Sequence, residues 1–466
     1  MLFTSFRLVL LSFLQHASLP FAQVLSEESI QQAFDDEGAN FGQGEGDLYT
    51  PALTLWAFLS QALHKGEQRS CMAAVARVVV LVVSLGRGPC SDNTGAYCRA
   101  RAKVPVVIVR RLALQVADAC EDQVPSRWLW KKRHVHLVDG TTVSMPDTIS
   151  NQRDYPQPNS QQPGLGFPVA RMVVLLSLAT AMLTGMEMGP YAGKETGETA
   201  LLRQLLDRLR PGAIVLADRY YCSYFMIALL RERGVDFVVR LHQRRGTDFR
   251  YGHRLGHGDH IAIWLRPARP EWMDRETYER MPAYLRVREV QVQVHQPGFR
   301  VESLVVATTL TDAETYSQED LAELYHRRWL VELDIRAIKI TLGMDVLRCK
   351  SAEMVRREIW TCLLTYNLIR KAMLQAAVEA RRCPRQLSFT AAVQKIAAAW
   401  VTIVVCAEAT ALSLMEVHLS DMATHLVGDR PNRVEPRKVK RRPKPHRLLT
   451  VPRQQARAEL LAGVPE

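Results

Sequence analysis

The stretch YHRRWLVELDIRAIK, residues 325–339, gathers a phenol, guanidiniums, carboxylates and an ammonium inside one segment of helical pattern. At about 100° per residue, Tyr325, Arg328, Glu332 and Lys339 fall inside an arc of about 60°. A carboxylate on such a stripe can bind a divalent cation, and the phenol and the two cationic groups can hold phosphate oxygens. The combination suits a phosphodiester beside a metal ion. The same spacing also builds an ordinary ladder of ion pairs on a solvated helix face.

Two further acids bear on that choice. Asp139 follows the apolar run Val135–Val138 and precedes Gly140, a pattern that reads as a strand ending in a turn at Asp139-Gly140. Asp218 directly follows AIVLA, a short buried strand. Ligands of open α/β sheets bind near the carboxyl ends of strands, although an acid at a strand end is also a common turn former. With Glu332 these make three carboxylates of the number that two Mg²⁺ ions need. Two such ions, roughly 3.5–4 Å apart, would activate a water or a 3′-hydroxyl and stabilise the leaving oxygen of an in-line displacement.

The elements that must position these groups follow from periodicity. Residues 26–87 have helical spacing, opening at a capping serine, Ser26. HVHLVDGTTVSMPDT (134–148) reads as strand then turn, and ARMVVLLSLATAMLTGMEMG (170–189) as two strands. The segments 197–212 and 221–234 read as helices, the second closed by Gly234; AIVLAD (213–218) and VDFVVRLH (235–242) are strands. Strands alternating with helices indicate an α/β domain. Helical pattern then disappears from about 243 to 300, where VREVQVQVHQ (287–296) alternates like a strand. LVVATTL (304–310) is a further strand. Residues 317–343 read as one long helix with Ser317 and Asp320 in capping positions, and a second long helix follows.

Composition narrows the class. The 466 residues are 47% apolar and 23% charged, which is globular, with a net charge of +12 that favours a polyanionic partner. Nine cysteines form no CxxC pair, so reduced thiols are expected rather than a disulfide framework or a zinc finger. The opening run MLFTSFRLVLLSFLQHASLPFAQ has the pattern of a short secretory signal and equally that of an amphipathic first helix. The internal apolar runs 78–86 and 172–186 are too short to span a membrane and read as a core helix and buried strands. No stable membrane association is expected. Beyond about residue 427, GDRPNRVEPRKVKRRPKPHRLLTVPR reads as an extended basic tail, either solvated or set against a phosphate backbone.

VDGTTVSMPDT, LADRYYCSYF and the spacing Y-x2-R-x3-E-x6-K resemble the three catalytic blocks of the DDE transposases of bacterial insertion sequences, in the group with a Tyr-Arg-Glu-Lys signature. SCMAAVARV, SDNTGAYCRAR, QQPGLGFPVAR and EPRKVKRRPKP also look like this group, so the resemblance runs from about Leu25 to the tail. It implies an RNase H-like catalytic domain, a mixed sheet flanked by helices, with a β-rich insertion. It implies Asp139, Asp218 and Glu332 as a metal-binding triad for two Mg²⁺ ions, for which Mn²⁺ may substitute. Tyr325, Arg328 and Lys339 would contact phosphates near the cleaved end. The expected domains are a helical one over 1–105 that binds DNA ends, catalytic parts over 130–242 and 304–375, the insertion over 243–303, and a helical and basic region over 376–466.

The expected partners are double-stranded DNA, as terminal inverted repeats and target, and a second copy of the chain in a paired-end complex. The expected location is cytoplasmic and nucleoid-associated. Some members of the group form a hairpin and stack a flipped base on an insertion aromatic, for which Trp264 and Trp272 are the candidates; plain packing is the other reading of each. Tyr221 and Arg240 are further possible DNA contacts, and Tyr224 and Phe225 read as packing residues. Two rivals keep much of this: a nuclease without strand transfer, and a catalytically inactive DNA-binding relic.

Overall fold

The computed structural model describes residues 2–44, 46–162, 164–293, 303–428 and 449–463. The chain opens with helices α1 (Arg7–Ser12), α2 (Glu27–Asp36), α3 (Pro51–Leu63), α4 (Cys71–Ser84), α5 (Thr94–Lys103) and α6 (Val106–Asp122). Their starts are chemically marked. Ser26, Thr50, Ser70 and Asn93 each accept a backbone N–H of the helix that follows. The apolar opening run is packed inside the protein: Phe6 lies 5.1 Å from the Phe34 ring, and Phe13 meets the edge of Trp400 at 5.2 Å.

A nine-stranded sheet carries the rest. Its strands are β1 (Val135–Ser144), β2 (Val169–Ser177), β3 (Leu183–Pro190), β4 (Ile214–Ala217), β5 (Asp236–Arg240), β6 (His253–Gly256), β7 (Asp259–Leu265), β8 (Tyr284–Gln293) and β9 (Ser303–Thr308). The spatial order is β3-β2-β1-β4-β5-β9-β8-β7-β6. The first three strands are antiparallel, β4 and β5 run parallel to β1, and the remaining four continue antiparallel. The strand-rich interlude after residue 243 therefore extends the main sheet through β8 and β9. The basic run 429–448 and the end of VREVQVQVHQ lie outside the described residues.

Alternation of side chains gives the sheet two apolar faces. Val138, Val215 and Ala217 face a layer with α7 (Ile149–Asp154) at its periphery and α8 (Glu198–Gln204) and α9 (Tyr224–Glu232) at its centre, where Phe225, Trp264 and Met281 also pack. Leu137, Val143 and Leu216 face a larger helical layer. After α10 (Arg275–Arg280) that layer receives α11 (Gln318–His326), α12 (Leu330–Arg336) and α13 (Ala352–Glu379), then α14 (Phe389–Ala399), α15 (Thr402–Val405) and α16 (Glu408–Thr424). The 28-residue α13 is buried along nearly its whole length and packs on α3, α6, α14 and α16. One apolar core thus joins the first hundred residues to the last helices. The short α17 (Arg453–Leu461) follows the basic run. Among the described residues no helix is long and apolar enough to cross a membrane.

Three expectations about elements are corrected. Asp139-Gly140 is not a turn: β1 runs through both residues to Ser144, paired with β2 along its length. The segment read as one helix over 317–343 is α11, a 3-10 turn at Arg327–Trp329, α12, and a π-helical turn at Ala337–Thr341. Its start is as expected, with a reciprocal cap between Ser317 and Asp320. The helix read over 221–234 begins at Tyr224, because Ser223 caps it and a 3-10 turn occupies 219–221.

Candidate active site

The site begins with strand register. β1 and β4 are parallel, with Leu137 beside Leu216. Two residues further on each strand stand Asp139 and Asp218, so continuing that register sets the two acids level on adjoining strands. β4 ends at Ala217 while β1 runs on to Ser144. Beside Asp139 the sheet therefore has an open flank where a ligand can approach. Asp218 caps the 3-10 turn by accepting the Tyr220 N–H at 2.7 Å. Asp139 accepts the Gly140 N–H at 2.8 Å.

The electrostatics of this corner are strained toward neutralisation. Burial first, then the like charges of Asp218 and Glu198, push the Asp139 carboxyl up to about 6. The Gly140 N–H and Arg328 pull the other way. Two carboxylates held this close in a partly buried corner favour a cation between them.

The signature segment lies against the same strand, since α12 packs on β1. Lys339, in the π-helical turn, donates to the Thr142 carbonyl at 2.7 Å and to Thr141 Oγ1 at 3.2 Å, both on β1. Such turns recur at functional positions of helices. Tyr325 is buried; burial, with Asp218 adding, pushes its phenol up to about 12 against Arg328 and Arg240. Arg328 faces Asp139 and donates to Glu332 Oε1 at 3.0 Å. Glu332 itself is 55% exposed. Among the described residues no three of His, Cys, Asp and Glu converge closely enough to hold a metal ion. Asp139 and Asp218 adjoin, Tyr325, Arg328 and Lys339 border them, and Glu332 is turned onto Arg328.

Sequence reasoning misses Glu198. This acid, in the first turn of α8, accepts a hydrogen bond from the buried Tyr221 hydroxyl at 3.2 Å. A Cβ on Gly140 would stand 2.2 Å from its carboxyl carbon. The signal was Gly140: a glycine inside a strand marks a close approach, but only once the strand is known to continue. The candidate aromatics of the insertion are both engaged. Trp264 is buried, donates to Glu289 Oε1 at 2.8 Å and carries the Arg245 guanidinium at 3.8 Å. Trp272 is partly exposed beneath Arg203 at 3.8 Å. Tyr224 donates to the Pro282 carbonyl and Phe225 is buried.

Residues 130–368, just over half of the chain, match the Transposase DDE domain family. The chain belongs to that family. The Escherichia coli K12 transposase InsG of insertion sequence element IS4 is 27% identical over 356 residues, 75% of this chain and 76% of its own. The putative transposase InsZ of the same organism is 26% identical over 145 residues, 30% of this chain and 46% of its own. Among solved structures, a piggyBac transposase synaptic complex with hairpin DNA aligns over 91% of this chain and 86% of that one. Its TM-score of 0.44 and 10% identity are too low to bear on function. Within this DDE transposase the matched span contains β1 to β5, the insertion, and the signature helices.

Proposed function

We propose that this DDE transposase mobilises an insertion sequence: it binds the element's terminal inverted repeats, cleaves there with divalent metal, and joins the freed 3′-hydroxyls to target DNA. The observation that carries this reading is the level pairing of Asp139 with Asp218 on the open flank of β1, under a helix tied to the same strand by Lys339. The mixed sheet with helices on both faces supports an RNase H-like catalytic domain, with β6 to β8 as its insertion.

Asp139, Asp218 and Glu332 would hold two Mg²⁺ ions, with Mn²⁺ as a substitute. The donor set fits, because the two adjoining aspartates repel each other until a cation intervenes. Bound ions of this kind lower the pKa of a water or hydroxyl nucleophile and neutralise the leaving oxygen. The chain's own residues do the rest. Arg328 exchanges its Glu332 partner for a phosphate, to which a guanidinium binds in bidentate fashion, and Glu332 is released toward the aspartates. Lys339 and the Tyr325 hydroxyl hold neighbouring phosphates and fix the scissile bond over the open flank. Two ends must meet, so the active species is a homodimer on paired DNA. The first helices recognise the ends, and the net positive charge draws the duplex in.

The test is a strand-transfer assay with pre-cleaved ends, a target plasmid and Mg²⁺. Joined products are expected, and Asp139→Asn, Asp218→Asn or Glu332→Gln should each lower them by about 10³-fold or more while leaving end binding intact. Cleavage without joining would make the protein a nuclease, and binding without either would make it a relic.

A further inference from the structure

We infer that Glu198 is a fourth carboxylate of the metal site, reaching the open flank of β1 across Gly140 from the face opposite to the signature helix. The inference rests on the reading of Asp139 and Asp218 as metal ligands.

Three observations carry it. The first is place. Side chains at 139 and 140 point to opposite faces of β1, so a group over Gly140 would ordinarily be separated from Asp139 by the sheet. Here β4 stops at Ala217, level with Val138, and no neighbouring strand closes that side. Both faces open onto the same edge, and Glu198 acts electrostatically on Asp139 across it.

The second is the cradle. A Cβ at position 140 would lie 2.2, 2.4 and 2.5 Å from Cδ, Oε1 and Oε2 of Glu198. Gly140 has an ordinary strand conformation that any residue could adopt, so backbone freedom does not explain the glycine. The space it leaves is filled by one carboxylate.

The third is orientation. The Tyr221 hydroxyl, on the turn that follows Asp218, donates to Glu198 Oε2 at 3.2 Å. Tyr221 is fully buried, so its hydroxyl is a fixed handle. An acid in a first helical turn commonly serves only to complement the helix dipole. That role is satisfied in solvent and requires neither a buried phenol nor a missing side chain on the facing strand. With one oxygen held by Tyr221, Oε1 remains to accept a cation or one of its waters. Glu198 thereby supplies negative charge from one side of the edge and Glu332 from the other, with Asp139 and Asp218 between them.

The experiment is Mn²⁺ binding to the full chain without DNA, by calorimetry and by the spectrum of bound Mn²⁺. Glu198→Gln, which keeps an acceptor for Tyr221, is expected to weaken Mn²⁺ binding roughly tenfold or more. Gly140→Ala, which forces the carboxylate away, should do the same. The double variant should bind no worse than the weaker single one, since both remove one ligand. Asp139→Asn is run beside them. If Asp139→Asn weakens Mn²⁺ binding while Glu198→Gln and Gly140→Ala do not, Glu198 is only a helix-end acid and the inference falls, with the aspartate site intact. If none of the three changes Mn²⁺ binding, the metal-site reading itself falls.

Discussion

Glu332 and Asp334 stand two residues apart on α12 and are held in opposite ways. Asp334 is 3% exposed, and its two oxygens accept from Arg370 at 3.1 Å and Arg385 at 2.8 Å. Glu332 is 55% exposed, and one oxygen accepts from Arg328 at 3.0 Å. The first is a closed structural knot between α12, α13 and the segment after it. The second has an open side and a partner that is itself suited to phosphate. Counting acids on a helix cannot separate the two; counting the partners of each oxygen does.

That contrast is open to attack by substitution. Asp334→Ala would leave two buried guanidiniums uncompensated and should cost about 3–5 kcal/mol of stability. Glu332→Ala should cost under about 1 kcal/mol, because an exposed i,i+4 pair contributes little. Denaturant midpoints decide it, and equal losses would erase the distinction.

Lys371 sharpens the comparison from the other side. It is fully buried on α13, its ammonium has no hydrogen-bond partner among the described residues, and burial lowers its pKa to about 8. The unfolded chain binds the proton more tightly, so the penalty is complete below pH 8 and fades as pH rises toward 10.5. Lys371→Met should therefore stabilise the protein by roughly 2–3 kcal/mol at pH 7 and by progressively less toward pH 10.5. A pH-independent gain would mean that packing, not charge, was relieved.

The smallest effect belongs to Asp139. Its carboxyl is raised to about 6, so the fold is penalised once the group ionises: fully above pH 6, and not at all below the ordinary carboxylate range near pH 4. Asp139→Asn should raise the metal-free thermal midpoint at pH 7.5, by roughly 1–2 kcal/mol in stability, with no gain at pH 4. Scans at the two pH values check this, and added Mg²⁺ should reverse the ranking at pH 7.5.

Much of this was legible in the sequence, and the limits have physical causes. Strands β2 to β5 and the caps at Ser26 and Ser317 are local signals, carried by apolar runs and hydroxyl side chains. The acids Asp139 and Asp218 were recognisable as a pair because each follows a buried run. Their level alignment is a long-range fact of parallel register, which no local pattern contains. Gly140 was read as a turn because glycine after aspartate usually is one; here tertiary approach by Glu198 is the reason for the glycine. The signature residues were placed on one face by ideal helix geometry. The 3-10 and π-helical turns alter that geometry, yet Arg328 and Glu332 keep their i,i+4 contact, and Lys339 reaches β1 by its own length.

The first helix is tied to the far end of the chain. Ser12 accepts from Trp56 at 2.9 Å and donates to the Trp400 carbonyl, 388 positions away, at 2.9 Å. During synthesis, this greasy opening segment must wait on the ribosome for nearly the whole polypeptide before its last partner emerges. A product cut short before residue 400 leaves that surface bare, a target for chaperones and proteases, so only complete copies acquire a sealed interior.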